Sequence, residues 1–496
     1  MTALHPGLWA AALVALPLCV GLFSYALGRR AAPLLVWIAP ALIITAVGGL
    51  LAGLVAQGPV VYQIGGWNPP LGITWRVDGL SAAMLLATAV IVAATGVYAS
   101  GYFTAGAPAA GNDKALHFWP LVYLLWAALN ALFLSADIFN LYVTLELLTL
   151  ASIGLIALRG SAESLAAALR YLMLGLMASL LYLMGVALLY AAYGTLDMLS
   201  LASVVRPDVA TAIGASLMVA GLLVKTALFP MHFWLPPAHA AAPAPASALL
   251  SALVVKASFY LVLRLWFDVF PALTASLASQ SLGALGAGAV VWGGVQALRT
   301  ERLKTLVAYS TVAQLGYLFL VFPLAPASIA APVAWYGAIL FALSHALAKA
   351  AMFLAVGRIQ QLTGTDRLDA LKGIGQSAPW ALSATALAGI SLMGLPPSGG
   401  FAGKWLMLLG GLETGQWWWV LTLVVGGLLT AGYLFRFWNI TIAAPDRPSA
   451  SAAFDWRSDV PPLALGTLAV LVMFFATPLV ELLQIALPHI ERISAG

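Results

Sequence analysis

Apolar residues come in runs of about 20, the length a helix needs to cross a bilayer, and short polar or Gly/Pro-rich gaps separate them along the chain. No stretch alternates apolar and polar residues with a period of two, so the pattern excludes a membrane β-barrel. The runs predict fourteen spans, at 7–27, 33–56, 80–103, 116–135, 137–158, 165–192, 209–229, 243–267, 281–298, 303–322, 333–357, 378–410, 417–441 and 461–486. No gap exceeds about 25 residues, so the expected fold class is an all-α polytopic membrane protein, one transmembrane domain over 1–496 with no soluble domain. The N-terminal MTALHPGLWAAALVAL has no basic flank and reads as a first membrane helix, not a cleaved signal.

Two spans are predicted to be broken. The seventh carries Lys225 and runs into Pro230, Pro236 and Pro237; Lys256 follows in the eighth, past Pro243 and Pro245. The twelfth is too long for one helix and contains GLPPSGGFAGKW (Gly394 to Trp405), which predicts two half-helices with an unwound middle. One break follows its lysine and the other, before Lys404, precedes it. Paired interruptions of this kind point to inverted repeats with a site at their interface.

Composition agrees with the membrane reading: 62% of the 496 residues are hydrophobic and 8% charged, against about 25% charged in soluble chains. The single cysteine, Cys19, excludes an intrachain disulfide and a cysteine-ligated cluster. Of the 22 basic residues, fourteen fall in loops after odd-numbered spans, Lys304 among them. Four fall on the other side (Arg76, Arg206, Arg264, Arg492) and four inside spans (Lys225, Lys256, Lys349, Lys404). The asymmetry predicts cytoplasmic odd loops and both termini on the outer side. It assigns the net charge of +5 to orientation, not to nucleic-acid binding.

The charges inside spans are the candidate chemistry, because an ionisable group at that depth is costly and faces a bundle interior or a water-filled cavity. Glu146 lies nine residues past Asp137, about 13 Å along its helix, and is either a switching partner for a buried lysine or half of a static pair. Lys225 is a proton carrier or a cap for carbonyls freed at Pro230; Lys256 and Lys404 are candidate relay steps. His345 and Lys349 are four apart and share a helix face; the histidine carries protons or donates one structural hydrogen bond. Asp137 feeds Glu146 from outside or favours its helix N-terminus. His232 and His239 give access to one surface or pack a loop; two histidines without an acid are a poor metal site, so no metal is expected.

These residues sit in segments that resemble a known family. DIFNLYVTLELLTLASIGLIAL, KTALFPMHFWLPPAH, APASALLSALVVK, ERLKTLVAYSTVAQLGY, SHALAKAAMFL and GLPPSGGFAGKW together, over about residues 60–440, are similar to the antiporter-like subunits shared by Mrp-type cation/proton antiporters, respiratory complex I and membrane-bound hydrogenases. The stretch Gly65 to Ala82 and APASALLSALVVK look most like the D-type branch of the Mrp antiporter subunits. The resemblance implies fourteen helices: three in 1–115, inverted five-helix repeats at 116–267 and 281–441, and a last helix at 461–486. It also implies a mid-membrane proton line through Glu146, Lys225, Lys256, His345, Lys349 and Lys404, with Glu146 and Lys225 as the switch.

The expected function is a proton-translocating subunit of a multisubunit sodium/proton antiporter in a bacterial inner membrane. Its expected partners are other membrane subunits, protons, sodium and the lipid bilayer. The alternative is a proton-pumping membrane subunit of a complex I-like NADH-quinone oxidoreductase or a membrane-bound hydrogenase, with redox cofactors on other chains. The sequence has no nucleophile–base set, phosphate loop or Glu-x-x-His motif, so it predicts an ion-transporter subunit, not an enzyme by itself, with no cofactor of its own.

Overall fold

Thirteen helices among the described residues of the computed structural model are long and apolar enough to cross a membrane. Where the twelfth span was expected stand two shorter helices, as the Gly/Pro interruption predicted. The structure describes residues 6–28, 34–103, 113–271, 276–325, 333–443 and 452–485. Arg29, Arg30, Arg447, Arg492 and both chain ends lie outside them.

The first helices are α1 (Pro6–Leu27), α2 (Ala39–Gln57), α3 (Gly79–Tyr102), α4 (Asp113–Leu134), α5 (Ile138–Ala157) and α6 (Ala162–Tyr193). Between α2 and α3 lies a small antiparallel hairpin, β1 (Val60–Gln63) and β2 (Thr74–Val77), with Val60 opposite Val77. The periodicity did not predict it: each strand is four residues long, and the Gly/Pro-rich connection hides any alternation. The hairpin delivers Arg76 to Asp78, the N-cap of α3, whose carboxylate accepts from Ser81 N–H at 2.9 Å.

The seventh span is broken, as expected. Helix α7 (Val209–Thr226) ends where Ala227 takes a left-handed φ of 57° and returns its N–H to the carbonyls of Leu223 and Val224. Pro230 has no N–H with which to continue. Trp234 Nε1 also donates to the Val224 carbonyl at 2.9 Å. Helix α8 (Leu235–Ala241) then restarts with Pro236 in its first turn, where a missing N–H costs nothing.

The second half holds α9 (Ala244–Val269), α10 (Ser276–Arg299), α11 (Leu303–Phe319) and α12 (Val333–Thr363). It continues with α13 (Pro379–Met393), α14 (Gly399–Glu413), α15 (Trp417–Ile442) and α16 (Trp456–Leu471). The break between α13 and α14 turns on Gly394, φ 80°, and Ser398 caps α14 by accepting from Phe401 N–H at 3.1 Å. Helices α9 and α12 are buried along the whole of their apolar windows. They form the centre of the bundle, with the other helices around them.

The two broken spans pack by the same device. On α6 and α7, Gly185 and Gly214 face each other's carbonyls; on α12 and α14, Gly337 and Gly403 do the same. Small residues allow this backbone approach in a bilayer. A Cβ at Gly403 would sit 2.6 Å from the Phe341 nitrogen and 2.7 Å from the Gly337 oxygen. Gly403→Val is therefore expected to lower stability by about 1–3 kcal/mol. Thermal unfolding of the solubilised protein should show a reduced midpoint; an unchanged midpoint would mean α12 and α14 separate without cost.

Candidate functional site

Lys225, Lys256 and Lys404 are placed by a helix end or a helix defect. Lys225 is in the last turn of α7, one step before the break, and its Nζ lies 3.4 Å from Glu146 Oε1 and 2.8 Å from Thr149 Oγ1, both on α5. Ser179 of α6 also donates to Glu146 Oε1. The sequence left open whether Glu146 and Lys225 meet; they do. The Glu146 side chain keeps 21% of its surface exposed, against 7% for Lys225, so the carboxylate lies at the edge of the bundle and the ammonium inside it.

The other lysines use carbonyls. Wide π turns at Leu250–Val254 and Leu265–Val269 interrupt α9, and Lys256 donates to Ser251 O at 2.7 Å. Lys404 of α14 donates to Leu392 O at 2.9 Å and reaches Met393 O at 3.4 Å, the carbonyls at the end of α13. It also lies 4.3 Å from the Tyr317 ring centre and 5.3 Å from that of Phe341, whose π faces attract a cation. Lys349 donates to Val307 O at 3.1 Å and to Ser310 Oγ on α11. The negative end of a broken or distorted helix can hold an ammonium without a carboxylate. Among the described residues, none of Lys256, Lys349 and Lys404 has an acid within ion-pairing distance.

Two hydroxyls lie between the lysines: Ser251 Oγ and Thr311 Oγ1 are 2.9 Å apart, and Thr311 donates to Val307 O at 3.0 Å, the carbonyl that also takes Lys349. Lys256 meets Ser251 at its backbone carbonyl, so the hydroxyls neighbour both lysines without forming an unbroken donor chain between them. His345 is 1% exposed with neither ring nitrogen bonded, stacks on Phe341 at 5.7 Å, and lies within electrostatic range of Lys256, Lys349 and Lys404.

Helix α11 carries a polar face that the sequence reading passed over. Lys304, Ser310, Thr311, Gln314 and Tyr317 are all buried; Thr311 follows Lys304 by seven, and Gln314 and Tyr317 follow at steps of three, which keeps them near one helix face. Gln314 donates to Thr430 Oγ1 at 3.0 Å, and Tyr317 reaches Lys404. The repeated spacing of polar residues in an otherwise apolar span was the available signal. Lys304 itself corrects an expectation: it is not a solvated loop charge but 0% exposed, donating to Ala240 O at 3.2 Å and Ala242 O at 2.5 Å.

Arg264 and Arg76 correct the loop tally in the same way. Arg264 lies in the last turn of the regular part of α9, before its second π turn, and bonds Asp78 at 2.6 Å and Asp268 at 3.1 Å. Arg76 lies 2.8 Å from Asp78 and 2.9 Å from Asp268. Burial opposes the charge on Asp78, but Arg264 and Arg76 outweigh it and hold the carboxyl down to about 2. The four-residue spacing of Arg264 and Asp268 was legible; their partnership with the hairpin was not.

Asp137 caps α5, accepting from Phe139 N–H at 3.0 Å and Asn140 N–H at 2.7 Å, the second of the two roles its position allowed. Burial pushes its carboxyl above the usual range despite those bonds, and Asp197 adds to the rise. His232 lies on Phe229 at 5.6 Å, near Trp292. His239 is 0% exposed, packs on Phe353 at 5.3 Å, and has no hydrogen-bond partner on either nitrogen.

The geometry describes a buried polar line with one carboxylate–ammonium pair at its edge and lysines able to take or give a proton along its length. The family described as "NADH:quinone oxidoreductase/Mrp antiporter, TM" matches residues 135–430. The N subunit of the NADH-quinone oxidoreductase of Desulforudis audaxviator is 36% identical, over 96% of this chain and 98% of its own length. The D subunit of the Na(+)/H(+) antiporter of Alkalihalophilus pseudofirmus is 31% identical over 77% of each chain. A chain in the structure of the Mrp complex from Dietzia sp. superposes with a TM-score of 0.88 at 24% identity, covering 100% of this chain and 99% of that one.

Proposed function

We propose that this chain, which belongs to the NADH:quinone oxidoreductase/Mrp antiporter membrane family, is the proton-translocating subunit of a multisubunit cation/proton antiporter of Mrp type. The observation that carries the mechanism is the contact between Glu146 and Lys225 beside the α7 break. Burial lowers a lysine's hold on its proton, and a carboxylate at 3.4 Å raises it. Moving Glu146 away therefore releases the proton into the line through Lys256, His345 and Lys349 toward Lys404. Moving it back recharges Lys225. The Ser251 and Thr311 hydroxyls beside Lys256 and Lys349 support a polar environment along this line. His232 and His239 are assigned to access, and Asp137 to the α5 cap.

The partly exposed Glu146 supports an assembly. A carboxylate at the bundle edge in mid-membrane would face lipid in an isolated chain, which is costly; a neighbouring membrane subunit would cover it. Sodium is the proposed counter-ion, as in the names of the Na(+)/H(+) antiporter relatives. The proposed setting is a bacterial inner membrane with both termini outside, supported by the excess of basic residues in alternate loops. Two spans broken beside a buried lysine, one in each half of the chain, support inverted repeats at 116–267 and 281–441.

A second reading has its own observation. The full-length 36% identity to the N subunit of an NADH-quinone oxidoreductase favours the same proton line driven by electron transfer on other chains. Native vesicles separate the two. Under the antiporter reading, a sodium pulse without electron donor moves protons and small membrane subunits co-purify. Proton movement only on adding NADH or another donor, with iron–sulfur proteins co-purifying, would transfer the chain to the redox-linked branch.

A further inference from the structure

At the hairpin end of the bundle, a short run of strand pairing carries two buried like charges. Strand β2 continues onto the segment between α4 and α5: Trp75 bridges Ser135, and Ala136 donates to Thr74 O at 2.9 Å. That segment pairs in turn with the one after α6, where Ile138 donates to Leu196 O at 2.9 Å and Met198 to Ala136 O at 2.8 Å. These two bonds flank Asp137 and Asp197 and make them a non-hydrogen-bonded antiparallel pair. In such a pair both side chains leave the same face, with Cβ atoms about 4.5–5.5 Å apart. Asp137 is 7% exposed and Asp197 4%.

Each carboxylate has one oxygen engaged and one left over. Asp137 Oδ1 takes both cap bonds of α5. Asp197 Oδ2 caps the short helix Met198–Val204, accepting from Ser200 N–H and from Ser200 Oγ, each at 2.8 Å. Asp197 Oδ1 is buried with no partner, and the pairing sets it on the face it shares with Asp137. Among the described residues neither aspartate has a basic partner. Arg76 falls on the opposite face from Trp75 and Ser135, and both it and Arg264 pair with Asp78 and Asp268. From α6, Tyr182 brings a neutral phenol that donates to Ile138 O at 3.1 Å. Like charges opposite each other across a strand pair destabilise it, so the arrangement calls for a positive charge between them.

We propose that Asp137 and Asp197 form a binding site for one divalent, oxygen-liganded cation of calcium's kind, which clamps the start of α5 to the segment between α6 and α7. Two carboxylates match two positive charges. Ser135 and Thr195, each two residues before an aspartate and on its face, add hydroxyl oxygens: Ser135 Oγ lies 3.4 Å from Asp137 N, and Thr195 Oγ1 accepts from Asp197 N–H at 3.3 Å. Calcium takes such hard oxygen ligands in flexible geometry and completes its shell with water, whereas magnesium gives up its water reluctantly. With two carboxylates in the set, the expected dissociation constant is about 0.1–1 mM.

This inference does not rest on the proton line, and its readouts do not involve transport. The solubilised protein is prepared with a chelator. Calcium binding is then followed by equilibrium dialysis and by thermal unfolding, with sodium chloride holding the ionic strength constant. Asp197→Asn is expected to bind one calcium fewer per chain than wild type. The wild-type midpoint is expected to rise by about 1–3 °C on adding about 10 mM calcium, and the variant's to stay where it is. Asparagine keeps an oxygen for the Ser200 cap and removes the repulsion, so without calcium the variant is expected to unfold no earlier than wild type. Asp137→Asn, which keeps the α5 cap in the same way, decides the question if Asp197→Asn does not fold. No calcium response in wild type, or the same response in the variants, overturns the inference. So does a variant that unfolds earlier than wild type without calcium, because the charge pair is then satisfied without an ion. A wild-type midpoint that ignores calcium but rises from pH 8 to pH 5 overturns it in favour of a shared proton. A midpoint raised as much by sodium as by calcium overturns the divalent site.

Discussion

Glu146→Gln is expected to abolish coupled proton movement, lowering it by at least about a hundredfold, while the complex still assembles. Glutamine keeps the volume of the side chain and an oxygen for the Ser179 hydroxyl. What it removes is the charge that faces Lys225 at 3.4 Å. Thr149 at 2.8 Å remains as a neutral partner. Lys225 then keeps only one neutral hydroxyl, not the freed carbonyls that hold Lys404, so its charged form loses its main partner and the switch is lost. Because Glu146 retains 21% exposure, the structural cost is modest. Quantifying the assembled complex beside the transport rate separates the two effects. Wild-type transport in this variant would mean that the pair is only a packing contact.

Asp78→Ala is expected to cost the most stability of any single change, about 3–5 kcal/mol. The carboxylate is 0% exposed and lies 2.8 Å from Arg76 and 2.6 Å from Arg264, whose side chains are 12% and 7% exposed. Its loss leaves two buried guanidinium groups sharing Asp268, and α3 loses its N-cap, worth about 1 kcal/mol more. The hairpin would detach from the end of α9. The ion pairs also fix the pH dependence. Asp78 is held at about 2, below the ordinary 3.8, so its contribution is complete above 3.8 and is lost as pH falls through 2. Thermal unfolding of the solubilised protein from pH 8 down to pH 4 should therefore show a constant gap between wild type and variant. A gap that closes on mild acidification would show that another group holds the hairpin.

The membrane class, both helix breaks and the charge line were legible in the sequence because each depends on local rules. Twenty apolar residues span a bilayer, proline stops a helix, and a lysine among leucines stands out. What was not legible depends on contacts between distant segments. Lys304 was read as a loop charge because it starts a span beside Arg302. Only the fold brings the end of α8 over it. Arg76 and Arg264 likewise looked like orientation charges until the hairpin and α9 met at Asp78. The Val307 carbonyl that takes Lys349 was invisible for the same reason, whereas Lys256 and Lys404 reach carbonyls only 5 and 12 residues away, exposed by a π turn and a helix break. Helices α9 and α12 are buried along the whole of their apolar windows, so outside their few charged positions they offer no one-sided apolar stripe from which neighbours can be inferred.

The most direct test of the proton line is the sodium-driven pH change in inverted vesicles carrying the native complex, without an electron donor, in wild type and in Lys225→Ala with assembly intact. The account predicts proton movement on adding sodium to wild type and none in the variant. Full proton movement in Lys225→Ala would contradict it.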